Sequence, residues 1–151
     1  MLQIFTKTFS QLTKEELYQL LQLRSEVFVV EQDCVYQDID FKDQKAIHVL
    51  GFKKEKLVAY TRIFKSGDYF KNASIGRVVV AKKERINGYG HIIFKASIKA
   101  VNEILKEKKI KISAQKYLKK FYEKHNFKQI GEEYLEDGIP HIAMINFNIN
   151  E

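Results

Sequence analysis

A basic segment that contains two glycines lies between a run of valines and a long amphipathic stretch. Val78–Val80 is a continuous apolar run typical of a buried strand, and Arg85–Gly90 follows it with glycines at positions 88 and 90. Free backbone amides at a helix start, together with the helix dipole, bind anions, and glycines let the anion approach the backbone. Arg85, Lys82 and Lys83 add positive charge. The segment predicts a pyrophosphate site, although it matches neither a Walker loop nor the dinucleotide fingerprint and a plain strand-to-helix turn stays open.

Positive and negative charge occupy different parts of the chain. Between Lys82 and Lys128 there are 14 lysines and arginines against four glutamates, a net charge of +10, whereas the remaining residues carry −3. Acidic residues gather instead between Glu26 and Asp43. One part of the chain can therefore attract an anionic ligand and another part a cationic one, although solvated lysine-rich helices would give the same pattern.

The composition indicates one domain over residues 1–151. Hydrophobic residues make up 45% of the chain and charged residues 30%, which is a globular balance. Cys34 is the only cysteine, so no internal disulfide can form. The first residues lack the charged leader and apolar core of a signal peptide, and no apolar run reaches the ~20 residues of a membrane span. We therefore expect a cytoplasmic protein without a membrane partner.

The hydrophobic pattern predicts an α/β chain with the element order β-α-β-β-β-α-β-α-β-β. Thr13 and Glu16 have the spacing of a capping box, which predicts that the first helix starts there. The second helix is long, with Ile93 and Ile104 on one apolar stripe, the third covers Lys116–His125, and a loop is expected over 31–45. The predicted strands are 4–9, 47–52, 57–64, 75–81, 110–114, 127–134 and 141–147. This order predicts a mixed sheet, antiparallel at first and parallel around the long helix.

Several segments resemble one enzyme superfamily. Arg85–Gly90 resembles the acetyl-CoA signature Arg/Gln-x-x-Gly-x-Gly/Ala of the Gcn5-related N-acetyltransferases (GNAT), and Ala114–Gln115 with Phe121–Phe127 resembles their second motif. Three further segments are similar to the ElaA-like branch: Arg24–Asp40, Gly76–Val80 and Glu136–His141. The resemblance extends over nearly the whole chain. It implies a GNAT-like acyl-CoA N-acyltransferase fold (α/β, also described as α+β), with a mixed six- to seven-stranded sheet, helices on both faces and splayed central strands.

Three positions depart from the pattern of the family. Ile86 stands where a glycine is common, and because β-branched residues disfavour positive φ, we expect an ordinary backbone there. Asn126 replaces the glycine before Phe127, and asparagine tolerates left-handed geometry. Gln115 stands where many relatives carry asparagine.

The resemblance implies direct transfer of an acetyl group from acetyl-CoA, a co-substrate, to a primary amine in a ternary complex without a metal. It implies that the amides of Val78 and Val80 pair with the pantetheine arm and that the amides of Arg85–Gly90 hold the pyrophosphate. It also implies that Tyr122 protonates the departing thiolate as a general acid. The donor-binding residues that it assigns are Val78, Val79, Val80, Arg85, Ile86, Asn87, Gly88, Tyr89, Gly90 and Gln115.

The attacking amine must first lose a proton, because an alkylammonium has a pKa of about 10. Many relatives place a glutamate on the central strand just before the valine run, where this chain has Gly76 and Arg77. Candidates for the base, or for binding the acceptor, are Glu31, Asp38, Asp40, His48 and His141. Arg24 and Arg77 could instead pair with these acids inside the fold, so the identity of the base stays open.

Other functions stay open. A CoA-binding sensor without catalysis would explain the missing strand glutamate, and a basic nucleic-acid-binding protein would explain the +10 half. We expect no nucleic-acid ligand, because no such motif occurs and the basic loop already has a phosphate partner in CoA. The segment Arg24–Asp40 is also similar to acyl-homoserine lactone synthases, but the second motif and the short chain argue against that reaction. A homodimer that pairs the C-terminal strand stays open as well.

Overall fold

Seven strands form one mixed sheet in the computed structural model, which describes residues 1–147; the last four residues of the domain expected over 1–151 lie outside the described residues. The strand order is β1-β2-β3-β4-β5-β7-β6. The strands are β1 (Gln3–Thr8), β2 (Ile47–Lys53), β3 (Lys56–Phe64), β4 (Ala73–Val80), β5 (Lys109–Gln115), β6 (Phe127–Glu136) and β7 (Ile139–Phe147). All neighbours are antiparallel except β4 and β5, which are parallel and flank the long helix in sequence. The predicted mixed sheet is confirmed.

Three α-helices and several short helical segments connect the strands. The α-helices are α1 (Lys14–Arg24), α2 (Tyr89–Glu103) and α3 (Lys119–Glu123). A wider π-helical segment over Ser25–Glu31 extends α1, and 3-10 turns cover Phe9–Gln11, Asp43–Lys45, Lys82–Asn87 and Lys116–Leu118. No helix in residues 1–147 is long and apolar enough to cross a membrane.

The three predicted helices agree with the structure to different degrees. The predicted capping box is confirmed, because the Glu16 amide donates to Thr13 Oγ1 at 3.1 Å and the Thr13 amide donates to Glu16 Oε1 at 2.9 Å. The helix predicted over Lys116–His125 is instead divided into a 3-10 turn and α3. Ile104 was predicted on the buried stripe, but α2 ends at Glu103 and Ile104 is 52% exposed.

Helices cover both faces of the sheet, as predicted. Leu20 and Leu23 of α1 pack in one apolar cluster, whereas Ile93 and Phe94 of α2 pack in the other. Consecutive strand residues belong to different clusters: Val49 and Val80 face α2, whereas Leu50 and Val79 face α1. Successive side chains of a strand point to opposite faces, so the two clusters lie on opposite sides of the sheet.

The two central strands diverge. β4 and β5 pair only at their first residues, Ala73 with Ile110 and Ser74 with Lys111. β4 also contains a bulge where it pairs with β3. Tyr60 pairs with Val79 and Arg62 pairs with Gly76, so two residues of β4 lie opposite Thr61 alone. Arg77 sits in this bulge with a φ of 50°. A bulge bends a strand and increases its twist, and the expected splay of the central strands is confirmed.

Candidate active site

A cleft of about 560 Å³ opens where β4 and β5 separate. Its walls come from the second half of β4, the end of β5, the π-helical segment and the turn between β6 and β7. α2 contributes its first turn and α3 contributes Phe121 and Tyr122. This volume is within the usual range of small-molecule sites, about 300–1,000 Å³. The cleft is therefore the candidate active site.

Backbone amides of β4 face the cleft. The Ala81 amide donates to Val58 O of β3 at 2.8 Å. Because consecutive strand amides point to opposite sides, the Val80 amide and, two residues earlier, the Val78 amide point away from β3. No strand pairs with β4 on that side beyond Ser74 in the described chain. Both amides are therefore free to bind an extended ligand that carries its own carbonyl groups.

The first turn of α2 presents further amides. Gly88 is the N-cap with φ 73° and ψ 15°, a left-handed conformation that suits glycine, and no side chain caps the helix. A Cβ at Gly90 would lie 3.4 Å from the Phe121 ring and 3.8 Å from the Val80 side chain, which are ordinary packing distances. Ile86 is 93% exposed and does not have a positive φ, as expected, whereas Asn126 does, at 69°. The uncapped turn is suited to a phosphate oxygen.

Arg85 and Glu31 pair with each other at the cleft. Arg85 Nη1 and Nη2 donate to the two carboxylate oxygens of Glu31 at 2.6 and 2.8 Å, and Arg85 Nε donates to Val80 O at 3.1 Å. The hydrogen bond from Arg85 lowers the pKa of Glu31. Glu31 is therefore a weak proton acceptor in this arrangement, and its carboxylate lies where Arg85 could otherwise meet an anionic ligand.

Tyr122 lies on the floor of the cleft. It is only 6% exposed and packs edge-on against Phe94 and Phe121, with ring centroids 5.1 and 5.0 Å away. Burial raises the pKa of Tyr122 well above its usual value. The hydroxyl therefore keeps its proton at neutral pH and can act as a proton donor.

His141 is a buried imidazole in the wall formed by β7. It is 7% exposed, and its Nδ1 lies 2.7 Å from Ile139 O. A carbonyl oxygen can only accept, so Nδ1 carries the hydrogen and Nε2 of the neutral ring has a free lone pair. Nε2 has no hydrogen-bond partner in residues 1–147, and the nearest carboxylate oxygen is Glu136 Oε2 at 3.7 Å. His141 therefore offers a proton acceptor at the cleft.

The aspartates of the acidic loop form a buried ion cluster with three arginines. Asp38 accepts from Arg24 Nε at 2.9 Å, Asp40 accepts from Arg62 at 2.8 Å through both oxygens, and Asp43 accepts from Arg24 and Arg62 at 2.8 and 2.9 Å. Arg77 Nε lies 2.7 Å from Asp38 Oδ1, an ion pair in which the N–H is not directed along a hydrogen bond. Burial opposes ionisation of Asp40, but Arg62 and then Arg77 outweigh it and lower the pKa to about 2. These carboxylates do not line the cleft.

His48 lies outside the cleft lining and is completely buried. Its Nε2 is 3.0 Å from Asp43 O and therefore carries the hydrogen, so Nδ1 accepts from the Tyr60 hydroxyl at 2.6 Å. Burial lowers the pKa of His48. Both ring nitrogens are occupied within the protein, and neither faces a ligand.

Sequence reasoning missed three groups that line the cleft. Glu136 and Asp137 were not among the candidate residues, yet both line the wall beside His141. Gln32 faces Gln115 across the cleft, with amide contacts of 3.3 and 3.4 Å. The ElaA-like segment Glu136–His141 was the available signal, because it joins the turn and the histidine in one motif. Within residues 1–147, no group of three or more His, Cys, Asp or Glu side chains could hold a metal ion.

Comparison with known proteins identifies the family. An acetyltransferase (GNAT) domain matches residues 8–146. The chain is 43% identical over 137 residues to Protein ElaA of Escherichia coli strain K12, covering 89% of this chain and 90% of the relative. The crystal structure of Escherichia coli ElaA superposes with a TM-score of 0.90 at 40% identity, covering 97% of this chain and 99% of that one. An acyl-CoA N-acyltransferase from Pseudomonas aeruginosa gives 0.89 at 36% identity, with coverages of 95% and 99%. The chain therefore belongs to the GNAT acetyltransferase family, in its ElaA-like branch.

Proposed function

We propose that this protein transfers an acetyl group from acetyl-CoA to a primary amine of a small molecule or peptide. Membership of the GNAT family supports N-acyl transfer as the reaction class. The observation that carries the proposal is that one cleft brings together free β4 amides, a proton donor at Tyr122 and a proton acceptor at His141. A donor site and both proton-transfer groups are the parts that direct transfer to an amine requires.

The residues of the cleft fit the parts of acetyl-CoA. The amides of Val78 and Val80 would hold the amide-containing pantetheine arm, and the uncapped first turn of α2 would hold the pyrophosphate. Arg85 would add positive charge to this phosphate site once its ion pair with Glu31 is broken. When bound, acetyl-CoA supplies the thioester that the amine attacks and the thiolate that leaves.

His141 and Tyr122 would manage the protons. His141 Nε2 accepts the proton that the ammonium must lose, while Nδ1–H stays bonded to Ile139 O and fixes the ring. Tyr122 keeps its phenolic proton at neutral pH and delivers it to the departing sulfur. Gly76 and Arg77 provide no base at the position where many GNAT relatives carry a glutamate. Proton removal therefore rests on the β7 wall in this chain.

The test follows thiol release from acetyl-CoA over a panel of polyamines, amino acids, aminoglycosides and peptides. We expect at least one amine to be acetylated and Tyr122→Phe to slow that turnover by about tenfold or more, because the hydroxyl is lost without a change of shape. Tyr18→Phe is the matched control, since Tyr18 is 74% exposed and outside the cleft. Full activity of Tyr122→Phe would remove this residue from the mechanism.

Thermal unfolding with acetyl-CoA separates the proposal from its alternatives. A raised melting temperature without turnover of any amine would indicate a CoA-binding sensor. Steeply salt-dependent DNA binding that survives saturating CoA would indicate a nucleic-acid-binding protein. Turnover with a raised melting temperature supports acetyl transfer.

A further inference from the structure

The charge of the cleft is not balanced. Apart from histidines, its charged lining residues within the described chain are Glu31, Arg77, Arg85, Glu136 and Asp137. Arg85 is paired with Glu31 at 2.6 Å, and Arg77 faces Asp38 and Asp40 of the ion cluster at 2.7 and 3.4 Å. Both arginines therefore already have carboxylate partners, and none of the lining cations is left for Glu136 and Asp137.

The Glu136 carboxylate lies beside the proton acceptor, and the backbone of Asp137 is anchored next to it. Glu136 Oε1 accepts from Ser113 Oγ at 2.9 Å, and Glu136 Oε2 lies 3.7 Å from His141 Nε2. The Asp137 carbonyl accepts from Cys34 Sγ at 3.4 Å, which holds the turn between β6 and β7 against the loop after the π-helical segment. The nearby Lys116 is engaged by Glu133 at 2.7 Å. Within residues 1–147, no arginine of the cleft lining pairs with this wall, so its carboxylates are available to a cationic ligand.

His141 is an independent sign that a ligand binds at this wall. The side chain is only 9% exposed, lines the cleft, and has no hydrogen bond to Nε2 in residues 1–147. The Nε2 lone pair is therefore available to accept a hydrogen bond from a ligand that enters the cleft. An ammonium group satisfies both features, because it donates a hydrogen bond to Nε2 and is attracted by the two carboxylates.

We infer that the acceptor is a diamine or polyamine: its reacting amine meets His141 while a second ammonium group binds Glu136 and Asp137. An acceptor with a carboxylate near the amine, such as an amino acid, is repelled by the same wall. The inference rests on the proposed function and names its substrate class. It places the acceptor site at the turn between β6 and β7. The acidic loop is not the acceptor site, because its aspartates are neutralised by arginines.

The test compares three acceptors of equal chain length that differ only in the distal charge: diaminobutane, butylamine and 4-aminobutyrate. The kcat/KM of each is measured by thiol release from acetyl-CoA at low ionic strength. We expect diaminobutane to exceed butylamine by about tenfold and 4-aminobutyrate to be the poorest, with the preference shrinking as salt screens the charges. A rate for 4-aminobutyrate equal to that for diaminobutane would overturn the inference.

Charge-removing variants locate the effect. Glu136→Gln and Asp137→Asn should each reduce the ratio of diaminobutane to butylamine by about threefold or more. Glu132→Gln is the matched control, because Glu132 is exposed on the same strand and outside the cleft lining, and it should leave the ratio unchanged. An unchanged ratio in both cleft variants would contradict the assignment.

Calorimetric binding of the same three compounds to the CoA-loaded protein keeps the two proposals apart. Preferential binding of diaminobutane without acetylation of any amine would support the charge selection and overturn the transfer reaction. Turnover without a preference for the second charge would overturn the selection alone. Neither turnover nor binding would overturn both.

Discussion

Asp40→Asn should destabilise the protein in a way that depends on pH. Asp40 accepts hydrogen bonds of 2.8 Å from Arg62 through both oxygens and faces Arg77 at 3.4 Å, and its pKa is lowered from 3.8 to about 2. Each pH unit of pKa change corresponds to about 1.4 kcal/mol, so the ionised carboxylate contributes about 2 kcal/mol to the free energy of unfolding. Because the folded-state pKa is the lower one, this contribution is complete above pH 5. About half of it is lost at pH 3, and the rest is lost below pH 2.

Urea unfolding of the wild type and Asp40→Asn at pH 7, 5, 4 and 3 measures this contribution. The difference in unfolding free energy should be largest at pH 7 and 5 and should shrink at pH 3. Asp33→Asn is the matched control, because Asp33 is exposed and forms no salt bridge in residues 1–147, and it should cost less at pH 7. If Asp40→Asn has the stability of the wild type at pH 7 but a raised KM for the amine, the reasoning is refuted and Asp40 belongs to the acceptor site.

Three further perturbations test other parts of the structure. Thr13→Ala should lower the unfolding free energy by about 1 kcal/mol in urea, because it removes the side-chain acceptor at the start of α1. Gly88→Ala should cost about 1–2 kcal/mol, because φ is 73° there, and calorimetry should find weaker CoA binding. Glu31→Gln should tighten CoA binding by about two- to fivefold by releasing Arg85; weaker binding would show that Glu31 positions Arg85 instead.

Most of the fold could be predicted because its signals are local. Alternating strands, the Thr13–Glu16 capping box and the amphipathic α2 each depend on side chains close in sequence. The resemblance then supplied the splay of β4 and β5. The π-helical segment over Ser25–Glu31 was missed because its apolar residues resemble an ordinary helix continuation. The end of α2 was placed too late, because Ile104 continues the apolar spacing after the helix has ended.

The candidate site was less predictable, because its charges find partners across long sequence distances. Asp40 lies 22 residues before Arg62, and Glu31 lies 54 residues before Arg85, so no local pattern reveals which acid is neutralised. The same holds for Glu136, whose exposure to the cleft depends on how the turn between β6 and β7 packs against β5. The position of Arg85–Gly90 in the family motif indicated the loop that binds acetyl-CoA. Which acidic residues are free to act could be decided only from the three-dimensional structure.

Mass spectrometry of the amine after incubation with acetyl-CoA tests the central claim most directly. The account predicts N-acetylated amine and free CoA in equal amounts, with diaminobutane acetylated faster than butylamine. It also predicts that Tyr122→Phe forms product about tenfold more slowly while acetyl-CoA still binds. Binding of acetyl-CoA to the wild type without any acetylated amine across the panel would contradict the account.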